Sequence, residues 1–257
     1  MTGRARPYRP RIDRRQVEAF QRSLLDWFRA HGRRLPWRRT RDPYRILVSE
    51  VMLQQTQVDR VRGYYRRFLQ AYPTVHDLAA ARPREVREAW DGLGYYARAR
   101  NLHAAARRIV GEGGGRFPRE LAELQTLPGV GRYTAGAVAS FAYGEPAPVL
   151  DTNVRRILTR AFVRRSHGGA GRERRLWALA EALIPPGDAW AFNQALMDLG
   201  ATVCRARTPA CPICPVRQAC ALSRKTQAPL ESEPAAGDRP RAVRPRAAKR
   251  ILTVART

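Results

Sequence analysis

The sequence predicts an all-α protein, and three observations support that prediction. Apolar residues recur three and four positions apart through most of the chain, which is the period of one helix face. No Asn-Gly pair and no sustained alternation of apolar and polar residues marks a hairpin or a half-buried strand. Asp, Thr or Pro precedes several of the apolar segments, as at helix starts. We therefore expect helices joined by short turns.

The first predicted helices begin at recognisable caps. Asp13 is the expected N-cap of a helix with an apolar face over 17–28, and Gln16 would complete a capping box. Asp42 followed by Pro43 predicts the start of the second helix, because proline is favoured in a first turn.

Further helices are predicted in the same way along the chain. The segment 58–69 has one apolar face, and Thr74 with Asp77 forms another candidate cap. Pro83 and Pro118 occupy expected first-turn positions. The remaining predicted helices begin near Tyr133 and cover 154–158, 176–183 and 189–199.

The chain carries a large excess of positive charge. Its formal net charge is +26, from 48 Lys and Arg against 22 Asp and Glu. Neutralising phosphates releases counterions, so the expected partner is an extended polyanion, nucleic acid rather than an anionic membrane surface. Residues 1–11 and 223–257 are basic and lack apolar periodicity, and we expect both segments to be disordered.

Composition disfavours two function classes. No run of about 18 apolar residues exists, so a membrane-spanning helix is not expected. The only lysines are Lys225 and Lys249, and both lie outside the segments with core patterning. Catalysis through a lysine imine is therefore not expected.

The only four cysteines lie close together near the end of the chain, spaced C-x6-C-x2-C-x5-C: Cys204, Cys211, Cys214 and Cys220. Four converging thiolates can hold an iron–sulfur cluster or a tetrahedral zinc ion, and the spacing does not decide between them. Disulfides are the alternative. No signal peptide opens the chain, so we expect a reducing cytoplasm, where clustered cysteines bind metal more often than they pair.

Residues 127–137 read LPGVGRYTAGA, which predicts a glycine turn between two helices. Gly129 and Gly131 allow a tight turn whose backbone N–H groups, with the neighbouring Arg132, can reach an anion. Such a helix–hairpin–helix element would bind a DNA phosphate without reading bases. An ordinary interhelical turn is the alternative, and the basic chain with its cysteine cluster favours DNA binding.

Two carboxylates are candidates for catalysis. Glu50 lies in an apolar segment, where burial would raise its pKa toward neutrality and make it a general acid; a place on a solvent stripe is the alternative. Asp151 precedes a predicted helix and is either an N-cap or a carboxylate that stabilises a developing cation. Gln54, Gln55 and Gln57 are uncharged hydrogen-bonding residues suited to a base edge.

Seven features occur in an order that resembles the MutY-type adenine DNA glycosylases, a branch of the endonuclease III superfamily. They are LPWR (35–38), SEVMLQQTQV (49–58), GLGYYARARNLH (92–103), LPGVGRYTAGA (127–137), LDTNV (150–154), FNQALMDLGA (192–201) and the cysteine cluster. The resemblance implies a helix–hairpin–helix glycosylase fold with a six-helix barrel over 35–143. A second subdomain, 12–34 with 144–222, would hold a [4Fe–4S] cluster on the four cysteines.

The resemblance also implies a reaction. Adenine mispaired with 8-oxoguanine or guanine would be flipped from the duplex, and its N-glycosidic bond would be hydrolysed. Glu50 matches the family's acid, and Asp151 matches the carboxylate that stabilises the sugar cation. Asn153 is expected to hydrogen-bond Glu50 or the attacking water. Tyr133 replaces the lysine of bifunctional relatives, so a monofunctional base excision repair enzyme is expected.

Other positions match residues that contact DNA in the family. Leu35, Trp37 and Arg38 match the adenine pocket, although Trp37 could be a core residue. Gln55 and Tyr95 match residues inserted beside the lesion, with a core position as the alternative for Tyr95. We expect His103 to be a hydrogen-bonded structural histidine. Arg205 and Arg207 lie between the first two cysteines, and we expect them to contact phosphate.

Most members of that family carry a C-terminal domain that reads 8-oxoguanine, and we expect this chain to lack it, since no domain-like pattern follows the cysteines. The expected protein is a cytoplasmic, nucleoid-associated monomer that binds double-stranded DNA containing mispaired adenine, with no membrane partner. Three alternatives remain: a thymine or uracil glycosylase acting opposite guanine, a non-catalytic DNA-binding module, and a zinc-bound structural protein.

Overall fold

We analysed a computed structural model that describes residues 8, 10, 12–163 and 171–223. The all-α prediction is confirmed, because no strand occurs anywhere in those residues. The predicted basic arm and basic tail lie almost entirely outside them. In the same described ranges, no helix is long and apolar enough to cross a membrane.

Eleven α-helices form the described part of the chain, and three short 3₁₀ turns accompany them, at Pro36–Arg38, Cys211–Ile213 and Arg217–Ala219. The helices are α1 (Arg14–His31), α2 (Pro43–Leu53), α3 (Val58–Ala71), α4 (Val75–Ala80), α5 (Pro83–Ala89), α6 (Ala97–Gly113), α7 (Leu121–Leu124), α8 (Arg132–Tyr143), α9 (Thr152–Phe162), α10 (Gly171–Ala182) and α11 (Ala189–Thr202).

Most of the predicted helix starts are confirmed. Asp42 caps α2 with Pro43 in its first turn. Thr74 caps α4, and the side chain of Asp77 completes a capping box. Pro118 is wrong as a first-turn residue, because the short helix α7 begins three residues later behind Glu120.

Asp13 caps α1 as predicted, but the predicted capping box is wrong. Its side chain accepts a hydrogen bond from the Arg15 backbone. Gln16 does not reach back to the cap, because its Nε2 donates to the carbonyls of Ala161 and Ala219, at 3.1 and 2.7 Å. A local motif has been replaced by long-range contacts that join α1 to the cysteine region.

Buried apolar residues form two clusters. The first lies within 35–149 and is built around α2, α3, α6 and α8. The second combines 17–25 with 150–219, from α1, α9, α10, α11 and the cysteine region. The chain passes from the first to the second between Val149 and Leu150. Asp151 follows immediately, so α9 starts at the boundary between the clusters.

Candidate active site and cysteine cluster

Glu50 lies on α2, whose residues from Ile46 to Met52 are all buried. Its exposure is 3%, so the solvent-stripe alternative is wrong. Burial raises the pKa of Glu50 to about 7; a hydrogen bond from Tyr133 opposes the rise, the charge of Asp151 adds to it, and Arg38 opposes it. The carboxyl is therefore poised to hold or release a proton near neutrality.

Tyr133 connects α8 to this carboxyl. Its hydroxyl donates a hydrogen bond of 2.9 Å to Oε2 of Glu50. Burial raises the pKa of Tyr133 well above its ordinary value, and the charges of Glu50 and Asp151 raise it further. The hydroxyl therefore stays protonated and serves as a fixed donor to Glu50.

Asp151 is both the N-cap of α9 and a neighbour of Glu50. Its Oδ1 accepts a 2.6 Å hydrogen bond from the backbone N–H of Val154. Its Oδ2 accepts a 3.0 Å hydrogen bond from the Asn153 side chain. The capping alternative is thus correct, and it does not remove the carboxylate from the site, because its charge acts on both Glu50 and Tyr133.

Asn153 makes different bonds from those expected. Its amide donates to Asp151 and accepts a 2.7 Å hydrogen bond from Nη2 of Arg156, and neither contact is to Glu50. Arg156 also donates to the carbonyl oxygens of Cys204 and Gly200, each at 2.8 Å. Sequence reasoning missed Arg156, which lies one helix turn beyond Asn153 and joins the Asp151 end of α9 to the first cysteine.

Arg38 is held by a buried carboxylate that the sequence did not single out. Its two terminal nitrogens each donate at 2.8 Å to Asp198 on α11, and Arg33 donates to the same carboxylate at 2.6 Å. Burial by itself would raise the pKa of Asp198, but the bonds from Arg38 and Arg33 outweigh it and the net pKa is lowered. Nε of Arg38 is buried without a hydrogen-bond partner within the described residues.

Leu35 and Trp37 precede Arg38 in sequence and are buried in the first cluster, each 6% exposed. Trp37 packs edge-to-face on Tyr65, with ring centroids 5.5 Å apart. Its indole therefore contributes to the core, which was the alternative for this residue.

Gln54, Gln55 and Tyr95 lie on a rim formed by two turns. Tyr95 is 62% exposed, so the core alternative for its ring is wrong. Gln55 and Tyr95 both have positive φ, 56° and 48°, which is unusual for residues other than glycine. A strained backbone conformation at two exposed residues indicates a functional constraint. We call the cleft bordered by Gln54, Gln55 and Tyr95 the rim cleft.

Arg98 holds the two turns of the rim together, and sequence reasoning missed it. It is buried, and its guanidinium donates to carbonyl oxygens of Val51 and Met52 on one side, at 3.0 and 2.9 Å. On the other side it donates to those of Leu93 and Gly94, both at 3.2 Å. A buried arginine in a run of alternating Ala and Arg gives no sequence signal that distinguishes it from its exposed neighbours.

The glycine hairpin precedes α8. Gly129 has φ 75°, and a Cβ there would lie 2.7 Å from Cβ of Asn101, so this position requires glycine. Gly131 is the N-cap of α8, and a Cβ there would meet nothing within 4 Å. Arg132 lies over the ring of Trp177 at 4.0 Å, which ties the hairpin to α10. The open side of Gly131 leaves the first N–H groups of α8 accessible to an anion.

All four cysteines are free thiols, so the disulfide alternative is wrong. They line one cavity together with aliphatic residues of α9 and α11. Nη1 of Arg160 lies 3.4 Å from Sγ of Cys204. Within the described residues, no three His, Cys, Asp or Glu side chains are arranged to hold a single metal ion. Arg205 and Arg207 are exposed, as a phosphate contact requires.

His103 is a buried histidine that hydrogen-bonds the backbone at Ala79 and Ala81, as expected of a structural residue. It is 6% exposed. Burial is the main cause that lowers its pKa.

Comparison with known proteins places this geometry among DNA repair proteins. The family described as HhH-GPD superfamily base excision DNA repair protein matches residues 48–182. An adenine DNA glycosylase from Homo sapiens is 46% identical over 222 residues, which are 82% of this chain and 41% of the human protein. The chain therefore spans less than half of that relative's length.

Two solved structures are similar over nearly their whole length. A thermostable thymine-DNA glycosylase has a TM-score of 0.75 and 33% identity, covering 82% of this chain and 98% of that one. An endonuclease III in a non-covalent complex with DNA has a TM-score of 0.70 and 27% identity, covering 84% and 99%. The family match includes Glu50, Tyr133 and Asp151. The chain belongs to the HhH-GPD superfamily of base excision DNA repair proteins.

Proposed function

We propose that the protein is a monofunctional DNA glycosylase that hydrolyses the N-glycosidic bond of adenine mispaired with 8-oxoguanine or guanine. The observation that carries this proposal is the buried carboxyl of Glu50, with its pKa raised to about 7 by burial beside a second carboxylate. Adenine leaves its sugar readily only when a ring nitrogen is protonated, so the reaction needs such an acid.

The proposed reaction divides the work between the two carboxylates. Glu50 donates its proton to a ring nitrogen of the flipped adenine while the bond from the base to the sugar breaks. The bonding electrons leave with the base, and the sugar becomes an oxocarbenium-like cation that Asp151 stabilises. Water adds to that carbon and loses its proton to a site carboxylate, which leaves an abasic sugar and free adenine.

Two further residues act on these carboxylates. Tyr133 donates to Glu50 and fixes the orientation of its carboxyl group. Asn153 donates to Asp151 and holds it in place at the start of α9. No lysine occurs in the family segment, and the only two in the chain follow the last cysteine. An imine intermediate, and with it strand cleavage, is therefore not expected.

The partner we propose is double-stranded DNA. The +26 net charge favours phosphate binding, and the accessible N–H groups at Gly131 provide a backbone anion site. Exposed Tyr95 and Gln55 fit the gap that a flipped nucleotide leaves in the stack. Arg38, fixed by Asp198, is positioned beside Glu50 to contact the adenine. We also propose that the protein acts as a monomer, and that it works on the nucleoid in the cytoplasm, where duplex DNA is found.

The four cysteines fit a [4Fe–4S] cluster. They line one cavity with aliphatic walls, and Arg160 donates to one thiol. Burial raises the pKa of the Cys214 thiol to about 11, and the other three cysteines add to the rise. When bound, the cluster would supply a rigid support for the exposed loop with Arg205 and Arg207. We do not expect it to take part in the reaction, because hydrolysis transfers no electrons.

We also propose that the two apolar clusters correspond to two subdomains. The first cluster supports a six-helix barrel over 35–143 that carries Glu50 and Tyr133. The second supports a subdomain of 12–34 and 144–222 that carries Asp151 and the cysteines. The adenine pocket would then be assembled from both.

A second candidate is a thymine or uracil glycosylase acting opposite guanine. It is favoured by the likeness to the thermostable thymine-DNA glycosylase, 98% of whose chain is covered. A pyrimidine leaves as a stabilised anion and depends less on protonation of the ring. The fully buried acid therefore favours adenine.

Single-turnover base release tests both candidates. The substrates are matched duplexes with adenine opposite 8-oxoguanine, adenine opposite guanine, thymine opposite guanine and uracil opposite guanine. Alkali treatment reveals abasic sites, and untreated samples reveal strand nicking. We expect adenine release without nicking; release of only thymine or uracil would contradict the role of Glu50, and no release at all would favour a binding module.

A further inference from the structure

A groove lined by four arginines lies between α5 and α6. Arg84 and Arg87 come from α5, and Arg100 and Arg107 come from α6. The two α6 arginines are seven positions apart, so they lie on one face two turns from each other. The cavity has a volume of about 630 Å³, and its described lining includes no carboxylate. We call it the arginine groove.

The charge of the arginine groove is largely uncompensated. Arg84 pairs with Glu88 at 2.8 Å, but this pair is exposed and solvent screens it. Arg87 lies over the ring of Tyr96 at 5.4 Å. In the part of the chain that the structure describes, Arg100 and Arg107 make no ion pair. Guanidinium groups gathered without acids are a typical binding site for phosphate.

The groove also contains a buried histidine, His103. It lines the arginine groove between Arg100 and Arg107 in sequence. Burial lowers its pKa first, and the charge of Arg107 lowers it further, so the imidazole adds no positive charge of its own. Its ring hydrogen-bonds the backbone at Ala79 and Ala81, so the arginines supply the phosphate contacts of the groove.

The position of the arginine groove indicates which phosphate it meets. Tyr96 and Arg100 line both this groove and the rim cleft, which also contains Gln55 and Tyr95. The arginine groove therefore adjoins the surface that a duplex would cover if its stack received those two side chains. We propose that the arginine groove binds backbone phosphates of the bound duplex beside the inserted residues, as an addition to the glycine hairpin. The inference rests on the proposed function, since it takes the rim as a DNA-contacting surface.

The test compares two double variants of equal net charge. Arg87→Gln/Arg107→Gln removes one exposed arginine from each wall of the groove. Arg62→Gln/Arg66→Gln on α3 is the matched control, because both side chains are exposed and Arg66 borders a separate cleft that shares no residue with the rim cleft. The dissociation constant for a mispaired duplex is measured against salt concentration. For one or two lost phosphate contacts, we expect the slope of the groove variant to fall by about 1 to 2 and that of the control to stay unchanged.

Neutral methylphosphonate linkages, introduced one at a time along each strand, then locate the contact. For the wild-type protein and the control variant, we expect one or two positions beside the mispair to weaken binding. For the groove variant, those same positions should have a smaller effect, because two of the four groove arginines are gone. Competition by inorganic phosphate and by an acidic peptide separates a duplex contact from capture of a free anion.

Three results would overturn the proposal. The first is an equal loss of slope in both variants, and the second is unchanged methylphosphonate sensitivity in the groove variant. The third is weakened binding of phosphate or peptide with duplex binding unaffected. Failure of the proposed function can be distinguished from failure of the groove proposal. In that case the wild-type protein itself would show no base release and no preference for a mispaired duplex.

Discussion

At the residue scale, the buried carboxyl of Glu50 couples activity to stability. Its folded-state pKa of about 7 lies above the usual 4.5, so the folded protein binds this proton more tightly than the unfolded chain. The resulting stability is fully present below about pH 4.5 and is lost as pH rises toward 7. Above that pH, folding must bury an ionised carboxylate.

Glu50→Gln should therefore stabilise the protein at alkaline pH while abolishing excision. The glutamine is neutral at every pH, so its advantage over wild type should grow by about 2 kcal/mol between about pH 5 and pH 8. Thermal unfolding at the two pH values measures it. Glu112→Gln is the control, because Glu112 is exposed and pairs with Arg108 at the surface, and it should show no such trend. An advantage that is equal at both pH values would contradict the raised pKa.

Tyr133→Phe should move the pH dependence of catalysis. The Tyr133 hydroxyl lowers the pKa of Glu50 by hydrogen bonding to its ionised form, so removing it lets that pKa rise. Since Glu50 acts as an acid, the alkaline decline of the single-turnover rate should shift to higher pH, together with a lower maximum rate. Tyr143→Phe on the same helix is the control, because its hydroxyl bonds the Phe117 carbonyl instead. A decline at unchanged pH would separate Tyr133 from the titration of Glu50.

The sequence predicted individual residues best where their chemistry depends on local context. Glu50 was predicted from the apolar residues on either side of it, and the cap position of Asp151 from the helix that follows. The partners of Asn153 were not predicted, because Arg156 also bonds Cys204 and Gly200 on another segment, which no local pattern indicates.

At the scale of elements, α9 and α11 approach so closely that a glycine is required. A Cβ at Gly200 would lie 2.5 Å from Cβ of Asn153, and both atoms belong to helices fixed by the second cluster. This contact sets the distance from α11, which carries Asp198, to the start of α9, where Asp151 lies. The approach therefore positions both Asp151 and, through Asp198, Arg38.

Gly200→Ala should destabilise the protein by about 1 to 3 kcal/mol, because the added methyl group forces the two helices apart. Gly111→Ala is the matched control in α6, where an added Cβ meets nothing within 4 Å. That change should stabilise by about 0.5 to 1 kcal/mol, since alanine is the better helix residue. Denaturant unfolding of both variants measures the difference, and equal effects would show that the close approach has no energetic consequence.

Helix starts were predictable from sequence, whereas the partners of each helix were not. Caps such as Asp42 and Thr74 act through bonds within three residues, so the local pattern is sufficient. Gln16 had the right spacing for a capping box, but the carbonyls of Ala161 and Ala219 bind it instead. Pro118 likewise satisfied a local rule in a segment where the helix begins later.

At the scale of the whole molecule, the buried carboxylate of Asp198 joins residues distant in sequence. Arg33 and Arg38 both bind it, and the exposure of its side chain is 1%. Removing one partner of such a buried pair leaves an uncompensated charge, which is far more costly than losing a surface pair. The sequence did carry a signal for this burial, since Asp198 is the only charged residue of the apolar helix α11, but nothing local identifies its partners Arg33 and Arg38.

The cysteine cluster makes a prediction about the intact protein. Cys211→Ser should reduce bound iron, remove the brown colour and lower the melting temperature, because one ligand of the proposed cluster is lost. Ile213→Ser is the control, a residue of the same turn that is 75% exposed. Iron analysis and visible absorption of the purified proteins measure both. One bound equivalent of zinc in place of iron, or iron that persists in Cys211→Ser, would contradict the assignment.

The role of Glu50 is tested by adenine release from a duplex with adenine opposite 8-oxoguanine, measured under single-turnover conditions. Wild type and Glu50→Gln are compared on the same duplex, with binding measured in parallel. We expect adenine release without nicking by wild type and a rate at least about 100-fold lower for Glu50→Gln, with binding retained. Unchanged release by Glu50→Gln, or no release by wild type that binds the duplex, would contradict that role.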